Sequence, residues 1–464
     1  MTAISRSRAF YTAGIIVAFA WIVIAELIWI PDPIRLSGGA EWIDMINVLF
    51  YGIALVPLLW LTGGIYGFAA GESFWRKLVS AASLLLNAAA AVLLFAEPER
   101  LLPIGCLIAA AWLVAFADMA AAESAAPRSF TGLSRRSLPK RTVIIFAATV
   151  MLLAFFFWPT PYRVTYPGLT MQMNRYAQAE TGKPHGDING VLVFERPAFP
   201  VDWLYAALLP HYEFTRISAD EPPLTEQYTQ VLEMKTDANA IAEAIAMQRA
   251  GIGKGVAVDG VKVAAIVAGG PADKLLQAGD VLKQVNGSDV SDINGLTGLM
   301  TNVRPGDEVS VTIDRGGKTI RMQVGTRAAD DDPGRAVFGI SVQNDIRPDT
   351  PIAVDYRRYI AHIGGPSHGA MLTLALLDQL TPGGVTNGIR VAGTGTIEAD
   401  GSVGPVGGVP QKAYAVSRTD ADVFFVPASE AEDARQGAGS SLNIVPVKTF
   451  DDILNWLKTH GKGQ

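Results

Sequence analysis

Cysteine is nearly missing from this chain. One residue in 464, Cys106, excludes an intrachain disulfide framework and any CxxC zinc site. Charge is sparse as well: Asp, Glu, Lys and Arg make up 18% of the residues, net charge is −6, and no long Lys/Arg run occurs. That balance argues against nucleic acid as a partner. The five histidines (His185, His211, His362, His368 and His460) form no HExxH or similar ligand spacing, so neither a metal nor a cofactor is expected. There is also no GxxxxGK[ST] stretch. The run Gly316–Thr319 reads GGKT, but Thr312 stands where a phosphate loop needs glycine, so it reads as a hairpin turn.

Hydrophobic residues, by contrast, make up half of the chain and mean hydropathy is +0.26. The excess lies before Pro159, in stretches such as GIIVAFAWIVIAELIWI and VIIFAATVMLLAFFFW. Residues 1–160 therefore read as a transmembrane region, with spans near 10–30, 46–68, 78–95, 101–121 and 142–158. The third is diluted by Asn87 and several alanines, and the first is too long for a signal peptide and lacks its small-residue cleavage site. Basic residues gather on one side. Arg6 and Arg8 precede span one, Arg76 and Lys77 follow span two, and Arg128, Arg135, Arg136, Lys140 and Arg141 precede span five. The opposite loops hold only Arg35 and Arg100. The basic side is expected to be cytoplasmic, and an odd number of spans then places everything after Trp158 outside. Glu26 and Asp118 are the carboxylates in or at the edges of the spans. Both sit near a predicted end, where snorkelling costs little, so the bundle reads as an anchor rather than a transport path.

The rest resembles an ordinary soluble protein. Residues 161–250 form a mixed connecting region expected to pack with the last part of the chain, with a strand in VLVFE, a helix near Asp202–Leu209, and an Ala-rich helix over Glu233–Arg249 that stops at Gly251. Residues 251–328 have the punctuation of a small β-rich domain: a strand and turn in VKVAAIVAGGPADK, an Asn-Gly turn in LLQAGDVLKQVNGSDV, a helix in INGLTGLMTNV, and a hairpin turning at Gly316-Gly317. The segments GGPADK, QAGDVLKQVNG and RPGDEVSVTIDRGGK resemble a PDZ domain of the bacterial protease-associated kind. The resemblance implies an exposed strand edge and a groove that accept a peptide by strand addition, although such a fold also serves as a spacer.

Two further elements carry chemistry. IGGPSHGAMLTLALLDQL sets Ser367 after Gly364-Gly365-Pro366 and before an apolar helix. A helix N-terminus favours negative charge, which suits a nucleophile and an oxyanion hole if the Gly364–Gly365 backbone leaves room for a carbonyl. A serine there is commonly just an N-cap. VAGTGTIEADGSVGPVGGVPQKAYAV supplies two expected strands about an Asp-Gly turn, then a helix on which Ala413, Tyr414 and Ala415 surround Lys412 with apolar groups. A lysine buried without a carboxylate partner loses its proton more readily and can deprotonate a serine without any histidine. In isolation it would read as a solvated surface lysine.

Together GGPSHG, GTGTIEADGSVGPVGG and VPQKAYAV, about 45 residues apart and in order, resemble the proteolytic domain of Lon-type serine proteases. The likeness spans residues 337–457, within an expected α+β domain over 335–460. It is nearest to a membrane-anchored branch in which a PDZ domain comes first, and TYPGLT and EMKTDANAIAEAIA also look like that branch. The resemblance implies a multi-domain chain in a bacterial cytoplasmic membrane, with Ser367 as nucleophile and Lys412 as general base. Thr394 would hold the lysine amine, while Thr396, two residues on, leaves that assignment open. It also implies protein or peptide substrates, and assembly into homo-oligomers is a family habit. Without an ATPase module, an ATP-independent peptidase is expected. His368 stands where the family usually has a small residue, which leaves open packing or crowding of the site. Four spans beyond the one typical of that branch have no explanation in it. The competing readings are an inactive PDZ/Lon-type binding scaffold and a membrane sensor or transporter.

Overall fold

A computed structural model of the chain describes residues 2–34, 40–124, 138–218, 224–359 and 364–461. Arg35, Arg128, Arg135, Arg136 and His362 lie outside the described residues.

The N-terminal part folds as apolar sequence must when no single stretch can satisfy its backbone except as helix. Among the described residues five helices are long and apolar enough to cross a membrane: Ala3–Glu26, Trp42–Ala69, Phe74–Ala96, Leu101–Ser124 and Lys140–Phe157. Asp118 departs from expectation. It does not reach toward an interface but is buried between helices, where Tyr11 Oη donates to its Oδ2 at 2.9 Å and Ser80 Oγ to its Oδ1 at 3.0 Å. Hydrogen bonds of this kind tie helices together where the hydrophobic effect does not. Glu26, at the end of the first helix, instead pairs with Arg196 of the globular half at 2.6 Å. The segment after span one and Pro98–Glu99 after span three both face the globular half. That arrangement is the one five crossings would have, with these loops on the same side as residue 159 onward.

The globular half opens with strands β1 (Tyr162–Gln172), β2 (Ile188–Pro197) and β3 (Glu213–Arg216), with helix α1 (Pro200–Leu208) between the last two. Helix α2 (Leu224–Arg249) ends at Gly251, whose φ of +76° suits glycine at a helix stop. A second sheet follows: β4 (Gly255–Ile266), β5 (Val281–Val285), β6 (Glu308–Arg315), β7 (Lys318–Gly325) and β8 (Ile340–Asp349), in the order β8-β4-β5-β6-β7, with helix α3 (Ile293–Met300) beside it. The turns at Asn286-Gly287 and Gly316-Gly317 have positive φ at both residues, the geometry that lets two-residue hairpins follow the strand twist.

Strand β8 corrects the boundary drawn near residue 335. It pairs with β4 from Ile340↔Ile266 to Asp349↔Gly255, so residues 336–349 belong to the small β-rich domain and not to the proteolytic one. As an edge strand, β8 faces α3 across a cavity of about 360 Å³ lined by Leu296, Met300, Phe338, Ile340 and Val342.

The chain then returns to its first sheet through α4 (Gly369–Leu380), β9 (Val391–Gly393), α5 (Val409–Ser417), β10 (Val423–Pro427), α6 (Ala431–Ala438), β11 (Ile444–Val447) and α7 (Phe450–His460). The order is β11-β10-β9-β2-β1-β3, with β9 parallel to both β10 and β2. Residues 162–216 and 391–447 thus share one sheet, and the small domain is inserted between them. The two strands expected over 391–408 are reduced to one. Beyond Val391–Gly393 the chain is irregular, although the turn at Asp400-Gly401 is present, with Glu398 N–H donating to the Ser402 carbonyl.

Helices α5 and α6 approach until backbone meets backbone. A Cβ added to Gly437 would lie 2.0 Å from the Pro410 carbonyl oxygen, whereas one added to Gly407 would meet nothing within 4 Å. Gly437→Ala is therefore expected to destabilise the globular half by about 1–3 kcal/mol. Gly407→Ala is expected to leave thermal unfolding close to wild type, and equal melting temperatures for the two variants would contradict the packing described.

Candidate functional site

The fold brings together the two elements the sequence singled out. Ser367 occupies a tight 3-10 turn, Pro366–His368, that leads directly into α4. Nearly every residue of α4 is buried, so the helix is fixed in the core and its first turn is aimed at the sheet rather than at water. The Ser367 hydroxyl caps neither the turn nor the helix and makes no hydrogen bond among the described residues, so the N-cap reading of this serine does not hold. Gly364, at φ +82°, turns the chain into this motif through a conformation that L side chains rarely adopt. Gly365 is extended, and a Cβ placed on it would meet only Val231 Cγ1 at 3.8 Å. Gly365 therefore borders open space, while Gly364 packs against the His368 ring and Leu192.

Lys412 sits on α5, which starts at the left-handed Gly408 with Pro410 in its first turn, an arrangement suited to a helix start. Ala413, Ala415 and Val416 fill its core-facing side. The lysine is 1% exposed. Its Nζ donates to Thr394 Oγ1 at 3.1 Å, and Thr394 Oγ1 in turn donates to the Ser367 carbonyl at 3.1 Å. Thr394 is itself 1% exposed and follows β9 directly, where its N–H bonds the Phe425 carbonyl. Gly395 N–H also donates to the Ser367 carbonyl, at 2.8 Å. One threonine thus joins the lysine amine to the backbone of the serine turn. Thr396 does not take part: its hydroxyl lies 3.4 Å from Glu398 Oε1.

Among the described residues the lysine has no carboxylate within ion-pair distance. Burial pushes its pKa down from the ordinary value to about 8, opposed only by the charge of Glu430. Glu430, which the sequence reading did not single out, takes the Val406 N–H on its carboxylate oxygens at 3.1 Å. It stands 18 positions after Lys412 in a short turn following β10, and no local pattern signals it.

His368 does not crowd the lysine. Its ring is 2% exposed and turns the other way, beneath α2, where Nε2 bonds Asn239 Oδ1 at 3.1 Å and Tyr176 packs edge-on at 5.3 Å. Nδ1 lies beside the Gly364 backbone with no hydrogen-bond partner of ordinary geometry. Burial, together with the nearby charges of Lys235 and Lys412, pushes the His368 pKa down to about 3, so the ring is neutral near pH 7. The packing reading of this histidine is the one its surroundings support.

Residues 361–459 match the family described as the Lon protease (S16) C-terminal proteolytic domain, and residues 233–326 match the PDZ domain family. The chain carries a PDZ domain and a Lon-type proteolytic domain. The Lon protease of Aster yellows witches'-broom phytoplasma is 30% identical over 94 residues, 20% of this chain and 12% of that protein. The Lon protease of Chloroflexus aggregans is 35% identical over 92 residues, 19% of this chain and 11% of that one. The matched part is thus about a ninth of the length of these relatives. A solved PDZ domain of an SdrC-like protein from Listeria monocytogenes aligns at 25% identity, covering 18% of this chain and 87% of that one, with a TM-score of 0.17. Ser367, Thr394 and Lys412 all fall inside the Lon-type match.

The buried amine carries a stability signature. Between about pH 8 and the ordinary lysine value of 10.5, the unfolded chain holds a proton that the folded chain has shed. Stability therefore rises with pH across that window, and below it the burial penalty is present in full. Lys412→Met, which keeps an unbranched chain and removes the charge, is expected to stabilise the Lon-type domain at pH 7 by roughly 2 kcal/mol, allowing for the lost bond to Thr394. The gain should vanish by pH 10.5. Denaturant unfolding of both proteins at the two pH values checks this, and a variant less stable at pH 7 contradicts it.

Proposed function

We propose that this chain is a membrane-anchored, ATP-independent serine endopeptidase using a Ser367–Lys412 dyad. The observation that carries the reading is the buried lysine amine, without a carboxylate partner, tied through Thr394 to the turn that presents an uncapped serine. In the neutral form, the Lys412 amine takes the Ser367 hydroxyl proton as Oγ attacks a peptide carbonyl carbon. The C–N bond then breaks, the ammonium returns its proton to the leaving amine, and an ester on Ser367 remains. Water attacks that ester by the same route, releasing the carboxylic acid and restoring the serine. The negative charge on the carbonyl oxygen develops at the N-terminal end of α4, beside the Gly364–Gly365 backbone, where the helix dipole favours it. Thr394 keeps the amine oriented in both halves of the reaction.

The serine and the lysine share no direct hydrogen bond, and such contacts often tighten only when substrate is bound. The absence of a phosphate-loop motif supports ATP independence, which in turn limits substrates to flexible or already unfolded segments. In the PDZ domain, the free edge of β8 and its apolar groove against α3 suit strand addition by an extended peptide. The placement of Arg6, Arg8, Arg76 and Lys77 supports an extracytoplasmic position for both domains, and a homo-oligomer is in keeping with the family.

Full-length protein in detergent is expected to cleave an unfolded substrate such as casein without ATP. The rate should rise about tenfold from pH 7 to pH 9 as the Lys412 ammonium, with a pKa of about 8, loses its proton. Ser367→Ala and Lys412→Ala should each reduce it by about 10³-fold or more. Activity that survives Ser367→Ala sinks this mechanism. No cleavage and no labelling by a serine-reactive probe favours the inactive scaffold instead.

A further inference from the structure

The chain running from the end of span one into the start of span two is unusually apolar for a connection, reading LIWIPDPI over 27–34 and AEWID over 40–44. Ile28, Trp29, Asp32 and Ile43 of this segment are buried rather than turned to solvent or bilayer. Trp29 is 2% exposed and Ile43 is fully buried, both within the core of the globular half. The Trp29 ring lies between Tyr212 at 6.4 Å and Tyr414 at 6.3 Å, the latter meeting it edge-on. Tyr414 is two residues along α5 from Lys412. Arg418, which caps the same helix, donates to the Trp29 and Ile30 carbonyls and lays its guanidinium over the Trp29 and Tyr414 rings at 5.9 and 5.8 Å.

The same segment is fixed at two further places. Asp32 accepts from Thr170 N–H at 3.0 Å and from Thr170 Oγ1 at 2.9 Å, on β1. Asp44 pairs with Arg175 at 3.0 Å and Arg357 at 2.9 Å. Helix α5 has only nine residues. Its first turn is pinned by the close approach of Gly437, and its last turn is held by Trp29 and the two loop carbonyls. A helix this short moves as a unit, so release of its far end would shift Lys412 and admit water.

We propose that the segment around Trp29 is a positioning element for Lys412, so that the membrane half holds the proteolytic site in register rather than serving as an anchor alone. The proposal rests on the Ser367–Lys412 reading. Trp29 touches neither the serine nor the lysine amine, so its effect must pass through α5. The groups that act on the Lys412 amine from packed elements are Thr394 and Glu430, with His368 turned away beneath α2, whereas the ring contacts of Trp29 are with Tyr212 and Tyr414.

The test uses full-length protein in detergent micelles, with the rate of covalent labelling by a fluorophosphonate measured from pH 6 to 10. Wild type is compared with Trp29→Ala, Trp29→Leu and Trp29→Phe. Trp29→Leu keeps an apolar side chain in the core should the alanine variant not fold. In the folded Ala and Leu variants the midpoint of the pH profile is expected to rise by about one unit as water reaches the amine. The plateau rate at high pH should stay within about twofold of wild type, and Trp29→Phe should restore most of the midpoint. A melting temperature that falls while the midpoint stays at its wild-type value overturns the proposal and leaves Trp29 a packing residue. A wild-type protein that takes no label overturns the catalytic reading first, and the proposal with it.

Discussion

Burying an ammonium costs several kcal/mol unless a counter-charge and further hydrogen bonds offset it. Lys412 receives one threonine hydroxyl and the distant charge of Glu430, which itself is occupied with the Val406 N–H. The domain tolerates this because the neutral form, not the charged one, is what the interior accommodates cheaply. Everything close to the amine follows from keeping it so. Alanines on α5 seal its face, Glu430 stays outside ion-pair distance, and Thr394 offers an oxygen that can accept from the amine whether or not it carries the extra proton. A carboxylate in place of Thr394 would favour the charged form of the lysine and lose the hydroxyl that donates to the Ser367 carbonyl.

The sheet that supports this arrangement is assembled from distant parts of the sequence. Strands β1 and β2 come from the first stretch after the membrane, while β9, β10 and β11 come from the last hundred or so residues, and they meet where β9 runs parallel to β2. The Lon-type match covers only the second set. Those residues alone would leave one edge of β9 without its ladder partner and one face of α5 without β1 and β2. Long-range pairing of this kind is slow to form.

Much of this was legible in the sequence, and what was not has physical causes. The spans were readable because twenty apolar residues in a row have few alternatives. The hairpins at Asn286-Gly287 and Gly316-Gly317 were readable because positive φ at two successive positions demands those residues. Ser367 and Lys412 were each ordinary alone, and stood out only because GGPSHG, GTGTIEADGSVGPVGG and VPQKAYAV occur together and in order. Strand β8 was missed because its alternation is interrupted by Asn344, Asp345 and Pro348, and its pairing with β4 is broken by two irregularities that no local pattern reports. A second strand after Gly393 was expected about the Asp400-Gly401 turn, and the turn formed without it, with Glu398 N–H bonded to the Ser402 carbonyl. Asp118 was misjudged because position along a helix does not say which side faces a neighbour; Tyr11 and Ser80 come from two other spans.

The contact between the first loop and α5 is aromatic and carbonyl-based, and that choice bears on the lysine. An ionic clamp at the end of α5 would bring a carboxylate toward the same short helix and pull the amine toward its charged form. Instead Arg418 spends its donors on the Trp29 and Ile30 carbonyls, and the carboxylates of the loop are used elsewhere, Asp32 on Thr170 and Asp44 on Arg175 and Arg357. The rings of Trp29, Tyr212 and Tyr414 exclude water without adding charge. The loop therefore holds the helix while leaving the electrostatics of the amine to burial, the one influence that lowers a lysine pKa without a partner. Spans that would be redundant as an anchor gain a reason to be there: they deliver this loop to the back of the lysine helix from a fixed direction.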